Sequence, residues 1–190
     1  MTIFQQVSPE NTSAAIKLAL EKAKEIETDI VLSTTSGDSA FMTAEFAAKM
    51  NYAGRIIAVT HAWGVKNPGE NSLSDENHKK LTDSGVILVT AAHTLSGVER
   101  SLSGKFGGIY PVEIMAHTLR MFCPGVKVCV EIGVMALDAG AIRKPRAVLT
   151  LGGTGPRGLD TACVITPGYS AKIFETKIHE ILCKPYENVK

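Results

Sequence analysis

The sequence predicts an open α/β fold: three layers around a mostly parallel sheet with one antiparallel strand. Three observations carry this expectation. Short apolar runs at residues 29–34, 56–59, 86–89 and 147–151 read as strands buried on both faces, the pattern of a parallel sheet. Helix-spaced segments separate the first three of them. The last two strands, 147–151 and 163–166, are only about ten residues apart. A parallel crossover needs a dozen residues or more, so this pair is expected to form an antiparallel hairpin.

The elements follow in order. Ser8-Pro9-Glu10 reads as a helix start, with Ser as cap, Pro at the first helical position and Glu in the first turn. Ala14, Ile16, Leu18, Ala19, Ala23 and Ile26 then recur at helical spacing. After the strand 29–34, a helix beginning near Asp38 carries Phe41, Ala44, Phe46, Ala47 and Met50, and Gly54 closes it. A polar helix from Ser74, with Asp75 and Glu76 in its first turn, runs to Gly85.

Residues 93–110 are rich in Ser and Gly and long for a plain connection, as functional loops and loops carrying a short helix are. Pro111 and Pro124 each open a helix, the first through Phe122 and the second through about Leu137. The second is apolar almost all round, so it should lie between the sheet and a further layer, for which another subunit is one source. In the tail, Ile173, Phe174, Ile178, Ile181 and Leu182 are spaced like a helix. No repeat, low-complexity segment or linker divides the chain, so one domain over residues 1–190 is expected.

Composition narrows the function classes. Twenty basic and 19 acidic residues give a formal net charge of +1, which supports neither a nucleic-acid-binding stripe nor a polybasic membrane patch. Residues 126–142 are too short and too charged to span a bilayer, and the amino-terminal stretch lacks the basic and apolar regions of a signal peptide. Cys123, Cys129, Cys163 and Cys183 have no metal-ligand spacing, which fits reduced, buried thiols in a cytoplasmic protein.

The chemistry concentrates where strands end. Ligands of open parallel sheets bind outside the carboxyl ends of the strands. There the first strand runs into Ser33-Thr34-Thr35-Ser36-Gly37-Asp38-Ser39. A helix starting at this point presents unpaired backbone N–H groups and its positive dipole end, and the hydroxyls of Thr34, Thr35, Ser36 and Ser39 surround it. Gly37 allows close backbone approach. The turn is a candidate phosphate cradle; equally, Ser36 or Asp38 could cap the helix. A second glycine-rich loop follows the strand 147–151: Gly152, Gly153, Thr154, Gly155, Pro156, Arg157, Gly158. Arg157 suits a phosphate's geometry, while the glycines also suit a hairpin turn.

These stretches resemble the C-terminal α/β domain of pyruvate kinase. "TTSGDSA" followed by "RIIAVT" is similar to that domain's first strand–loop–helix and second strand, and "GGTGPRG" before "DTACVIT" is similar to its late glycine loop and final strand. "HTLSGVERSLSGKFGGIYPVEI" and "EILCKP" resemble a stand-alone family of such domains with no assigned role. The resemblance implies a phosphate site formed by Thr34, Thr35, Ser36, Gly37 and Ser39, with Gly153, Gly155, Arg157 and Gly158 opposite. In this sequence Thr35 stands where a basic residue is common in the first effector loop, so the resemblance points to a monophosphate rather than a bisphosphate. A 190-residue chain has no room for the catalytic barrel, and no pyruvate kinase activity is expected.

His61 and His93 follow the second and third strands and are candidates for general acid–base work or for binding a ligand; loop histidines satisfied by backbone are the bland alternative. Trp63 and Phe106 could stack on a flat ring, and Lys105 could sit near a phosphate, unless Trp63 packs in the core. An aromatic surface beside a monophosphate cradle suits a mononucleotide, with flavin mononucleotide (FMN) as the first candidate cofactor. No metal-ligand set, paired-carboxylate motif or nucleophile elbow is present. Three functions stay open: binding of a phosphate-bearing small molecule, a small enzyme using His61 or His93 on a phosphorylated or flavin-linked substrate, and a structural domain that forms homo-oligomers.

Overall fold

The computed structural model describes residues 1–153 and 158–186. Its elements are β1 (Thr2–Phe4), α1 (Asn11–Glu25), β2 (Ile30–Ser33), α2 (Asp38–Lys49), β3 (Ile56–Thr60), α3 (Asp75–Asp83) and β4 (Ile87–Thr90). These are followed by α4 (Val98–Phe106), α5 (Pro111–Arg120), α6 (Pro124–Asp138), β5 (Val148–Gly152), β6 (Thr161–Thr166), a 3-10 segment (Ser170–Glu175) and β7 (Lys177–Pro185). The seven strands form one sheet in the order β1-β7-β6-β5-β2-β3-β4. All neighbours are parallel except that β6 runs against both β5 and β7. The single antiparallel strand expected from the short 151–163 connection is therefore present.

Alternate strand residues feed two cores. Ile30, Leu32, Leu149 and Leu151 face α1, α2 and α3, where Ile16, Leu20, Ala40, Ala47 and Leu81 pack against them. Val31, Ile57, Val148, Cys163 and Ile165 face α6 through Val126, Cys129, Ile132 and Ala136. Removing an aliphatic side chain of this kind from water stabilises a fold by about 1.5–3 kcal/mol. The outer side of α6 is covered by α5 and the 3-10 segment, with Leu95, Ala116 and Val130 buried between layers and Ile173 beside them. The further layer expected over this all-round apolar helix is supplied by the chain itself.

At the amino-terminal edge of the sheet, Asp29 receives Arg55 Nε at 3.0 Å and is also bonded by Arg146, joining the starts of β2, β3 and β5. The hydroxyl-rich turn leaves from the opposite, carboxyl-terminal edge.

Two expectations are corrected. The tail from Lys177 is a strand rather than a helix. Its pairing with β6 is shifted between Ala162 and Cys163 and between Val164 and Ile165. These bulges break the period-2 pattern and leave apolar residues at spacings that mimic a helix. The first helix starts at Asn11, because residues 8–12 close with bonds of Asn11 N–H to Ser8 O and Thr12 N–H to Pro9 O, a tighter turn than α-helix. The polar helix expected from Ser74 is α3, and Ser74 caps it: its Oγ accepts the Asn77 N–H at 3.2 Å. The long 93–110 connection does carry a short helix, α4.

Candidate functional site

Parallel pairing in register brings the carboxyl ends of β5, β2, β3 and β4 side by side. Leu32 pairs with Leu151, Ser33 with Val59, and Thr60 with Thr90. The turn after β2 thus leaves the sheet next to Gly152 on one side and the approach to His61 on the other. Thr34 N–H donates to Val59 O at 2.9 Å, fixing that placement. The direction of chain growth also reverses here: β3 and β4 are added on one side of β2, β5 and β6 on the other. Such a switch point is where open α/β sheets form a crevice.

Within the turn, Gly37 is the cap of α2 and adopts a left-handed conformation (φ 104°); no side chain caps the helix. Neither Ser36 nor Asp38 takes the capping role. Ser36 Oγ instead donates to Asp38 Oδ2 at 2.6 Å. Thr34 Oγ1 accepts the Gly37 N–H at 3.1 Å, and Ser39 Oγ donates to Ser33 O at 3.0 Å. The hydroxyls of Thr34 and Ser39 therefore shape the turn, while those of Ser33 and Thr35 bond to no described residue. Gly37 also has a different reason from the expected one. A Cβ there would lie 3.0 Å from Leu73 Cδ1 and 3.3 Å from Leu81 Cδ1, so the position faces apolar packing rather than open space for a ligand.

The loop between β3 and α3 folds over this turn. Asn71 Nδ2 donates to His61 O, Asn71 Oδ1 accepts the Leu73 N–H, and Asn77 Nδ2 donates to Ser36 O. Trp63 lies in that loop and is 61% exposed, so it is not a core residue. Phe106 is 69% exposed at the end of α4, and Lys105 Nζ lies 5.4 Å from its ring centroid. Lys105 and Phe106 thus contact each other on a helix that contributes no buried residue. Among the described residues the one ring–ring contact joins His61 and His93; Trp63 and Phe106 are not brought together.

Of the second glycine loop, Thr154, Gly155 and Arg157 lie outside the described residues. Its two ends are shaped by close approach. A Cβ on Gly153 would sit 1.8 Å from Gly158 O, and one on Gly158 (φ 91°) 2.1 Å from Thr12 Oγ1. Thr12 Oγ1 in turn accepts the Leu159 N–H at 3.1 Å.

The His61–His93 contact, with ring centroids 5.4 Å apart, opens onto a polar cluster that the sequence reading missed. Lys127 and Glu131, one turn apart on α6, are each only 4% exposed and form an ion pair. Glu131 Oε1 accepts the Leu95 N–H at 2.9 Å and the Ser96 hydroxyl at 3.1 Å. Lys127 Nζ donates to Ser96 Oγ at 3.2 Å, and Ser96 Oγ lies 3.4 Å from His93 Nδ1. The signal was available: two charges spaced i, i+4 on a helix apolar on every side have to be buried, and buried charges are paired.

Burial lowers the pKa of His93, aided by His61, Lys127 and Arg100 and opposed by Glu131. Burial and Lys66 lower that of His61. Both imidazoles are therefore biased toward the neutral form. Burial also lowers the Lys127 pKa, against the pull of Glu131. The four cysteines are free and buried, and burial raises the pKa of Cys183 to about 12, as expected of unreactive thiols. Among the described residues no group of three or more His, Cys, Asp or Glu side chains is placed to hold a metal, and no helix is long and apolar enough to cross a membrane.

The edge can therefore offer backbone N–H groups to an anion and two neutral imidazoles to a neighbouring group, backed by a buried ion pair. The sequence family of the pyruvate kinase alpha/beta domain matches residues 13–165, from within α1 almost to the end of β6, and the chain belongs to that family.

Proposed function

We propose that the protein binds a phosphate-bearing small molecule at the carboxyl edge of its sheet, with FMN as the first candidate. The observation that carries this reading is a helix with hydroxyls all around its start and no side-chain cap. The first N–H groups of α2 are left for an external acceptor, and the helix dipole favours an anion there. The backbone N–H groups of Asp38 and Ser39, with the Thr35 hydroxyl, would hold the phosphate, and Arg157, Thr154 and Gly155 of the second loop are candidates to complete the site. The Asp38 carboxylate opposes high negative charge, which favours a monoester over a bisphosphate. Trp63, His61 and His93 would take the organic body, while Lys105 and Phe106, on α4, are candidates for its outer side. Bound FMN would supply redox chemistry.

Ser36→Ala tests the reading. Ser36 holds the Asp38 side chain and does not cap the helix, so its loss frees a carboxylate beside the phosphate. FMN affinity should fall by about tenfold, the scale of one interaction with a charged group. The melting temperature should hold. Unchanged affinity with a lowered melting temperature would mean that the turn is purely structural.

The His93–Ser96–Glu131–Lys127 cluster, half-buried at His93 and Ser96 and buried at its ion pair, favours a second reading, an enzyme acting on a phosphorylated or flavin-linked substrate. Bleaching of bound flavin by a nicotinamide donor, lost in His93→Ala, would support it.

We also propose that the chain forms homo-oligomers through α5. With α6 covered from within the chain, this side of the protein exposes Ile114 on α5 and Met121 and Phe122 just after it, together with Phe174 and Ile178. Patches of this kind mark contact surfaces. Light scattering at micromolar concentration should show at least a dimer, and a monodisperse monomer would exclude it.

A further inference from the structure

A hydroxyl has one proton and two lone pairs, and this constrains the network around Ser96. Glu131 Oε1, 3.1 Å away, can only accept, so the Ser96 proton points to it. Lys127 Nζ, at 3.2 Å, can only donate and takes one lone pair. The remaining lone pair faces His93 Nδ1 at 3.4 Å, which must then carry the ring proton. His93 is left with a bare Nε2. That atom bonds to no described residue and is not sealed from solvent.

His61 is constrained in the opposite sense. Its Nδ1 is the one buried side-chain nitrogen or oxygen without a partner among the described residues. A buried N–H donor left unpaired is rarer and costlier than an unused lone pair. The proton therefore belongs on Nε2, the atom that is not sealed in. Both rings are held neutral by burial, as their lowered pKa values indicate.

We propose that His61 and His93, with ring centroids 5.4 Å apart, act as a fixed donor–acceptor pair, His61 Nε2–H the donor and the bare His93 Nε2 the acceptor, that recognises a cyclic amide or imide edge, a carbonyl next to an N–H. This rests on the phosphate-ligand reading above and names the organic part of that ligand: a ring of the flavin, pyrimidine or purine kind. Ser96 is a positioning residue. It acts by fixing the His93 tautomer, with Glu131 and Lys127 fixing Ser96.

The test has two arms on the full chain. Long-range proton–nitrogen NMR of the free protein at neutral pH should show His93 protonated at Nδ1 and His61 at Nε2. Ser96→Ala should leave His93 as a mixture of tautomers. In the second arm, FMN should bind at least about tenfold more tightly than its N3-methyl derivative, which lacks the imide N–H. His93→Ala, checked by its melting curve, should bind the two alike. Either tautomer reversed, or equal binding of FMN and N3-methyl-FMN by the wild type, overturns the proposal. If inorganic phosphate fails to compete with FMN while the tautomers and the methylation penalty hold, the pair is supported and the phosphate turn alone is removed from the site.

Discussion

The Ser96 hydroxyl donates to Glu131 Oε1 at 3.1 Å, tying the loop after β4 to the buried face of α6. The contact brings a loop that leaves the carboxyl edge of the sheet onto an ion pair that is out of reach of water.

That burial makes Glu131 the most sensitive position in the cluster. Glu131→Gln leaves Lys127 charged and unpaired, and breaking a buried pair from one side costs about 3–5 kcal/mol. Chemical denaturation should show the loss. The double variant Lys127→Met/Glu131→Gln should recover a large part of it, because no lone charge then remains.

The histidine pair gives a pH signature. Burial lowers the folded pKa of both rings below the unfolded value of about 6.5. Lys66 adds to this at His61; His61, Lys127 and Arg100 add to it at His93; Glu131 opposes it at both. The unfolded chain then binds more protons between the two values. Stability is unaffected above about pH 6.5 and falls as pH drops toward the folded pKa values. Melting temperature followed from pH 7.5 to 5 should decline, and His61→Gln/His93→Gln should flatten that part of the curve. An equal decline in the variant would assign it to other groups.

Gly37 separates folding from binding. Its φ of 104° and the crowding by Leu73 and Leu81 mean that Gly37→Ala should destabilise by more than about 1 kcal/mol, read by denaturation without any ligand. An unchanged midpoint would contradict the packing role assigned to this glycine.

The sequence displayed most of this fold because buried parallel strands leave continuous apolar runs, as at 56–59 and 86–89. It concealed β7, whose two bulges erase the alternation a strand normally shows, and β1, whose three residues are too short to carry a pattern. The parts of the candidate site legible in the sequence were those at strand ends: the turn at 33–39, and His61 and His93. The pairing of Lys127 with Glu131 was legible in their i, i+4 spacing on an apolar helix, but their meeting with Ser96 was not, since it joins a loop and a helix more than thirty residues apart. The fates of the individual hydroxyls were also hidden: whether Ser36 caps a helix or binds Asp38 is decided by rotamers, not by residue type.

The central claim is that the turn after β2 holds a phosphate through the exposed N–H groups at the start of α2. Amide chemical-shift mapping during titration with inorganic phosphate, and then with FMN, tests it most directly. The account predicts that phosphate shifts the amides of residues 35–40, and that FMN shifts the same amides together with those around His61 and His93. Saturable FMN shifts that leave residues 35–40 unmoved and fall elsewhere on the protein would contradict it.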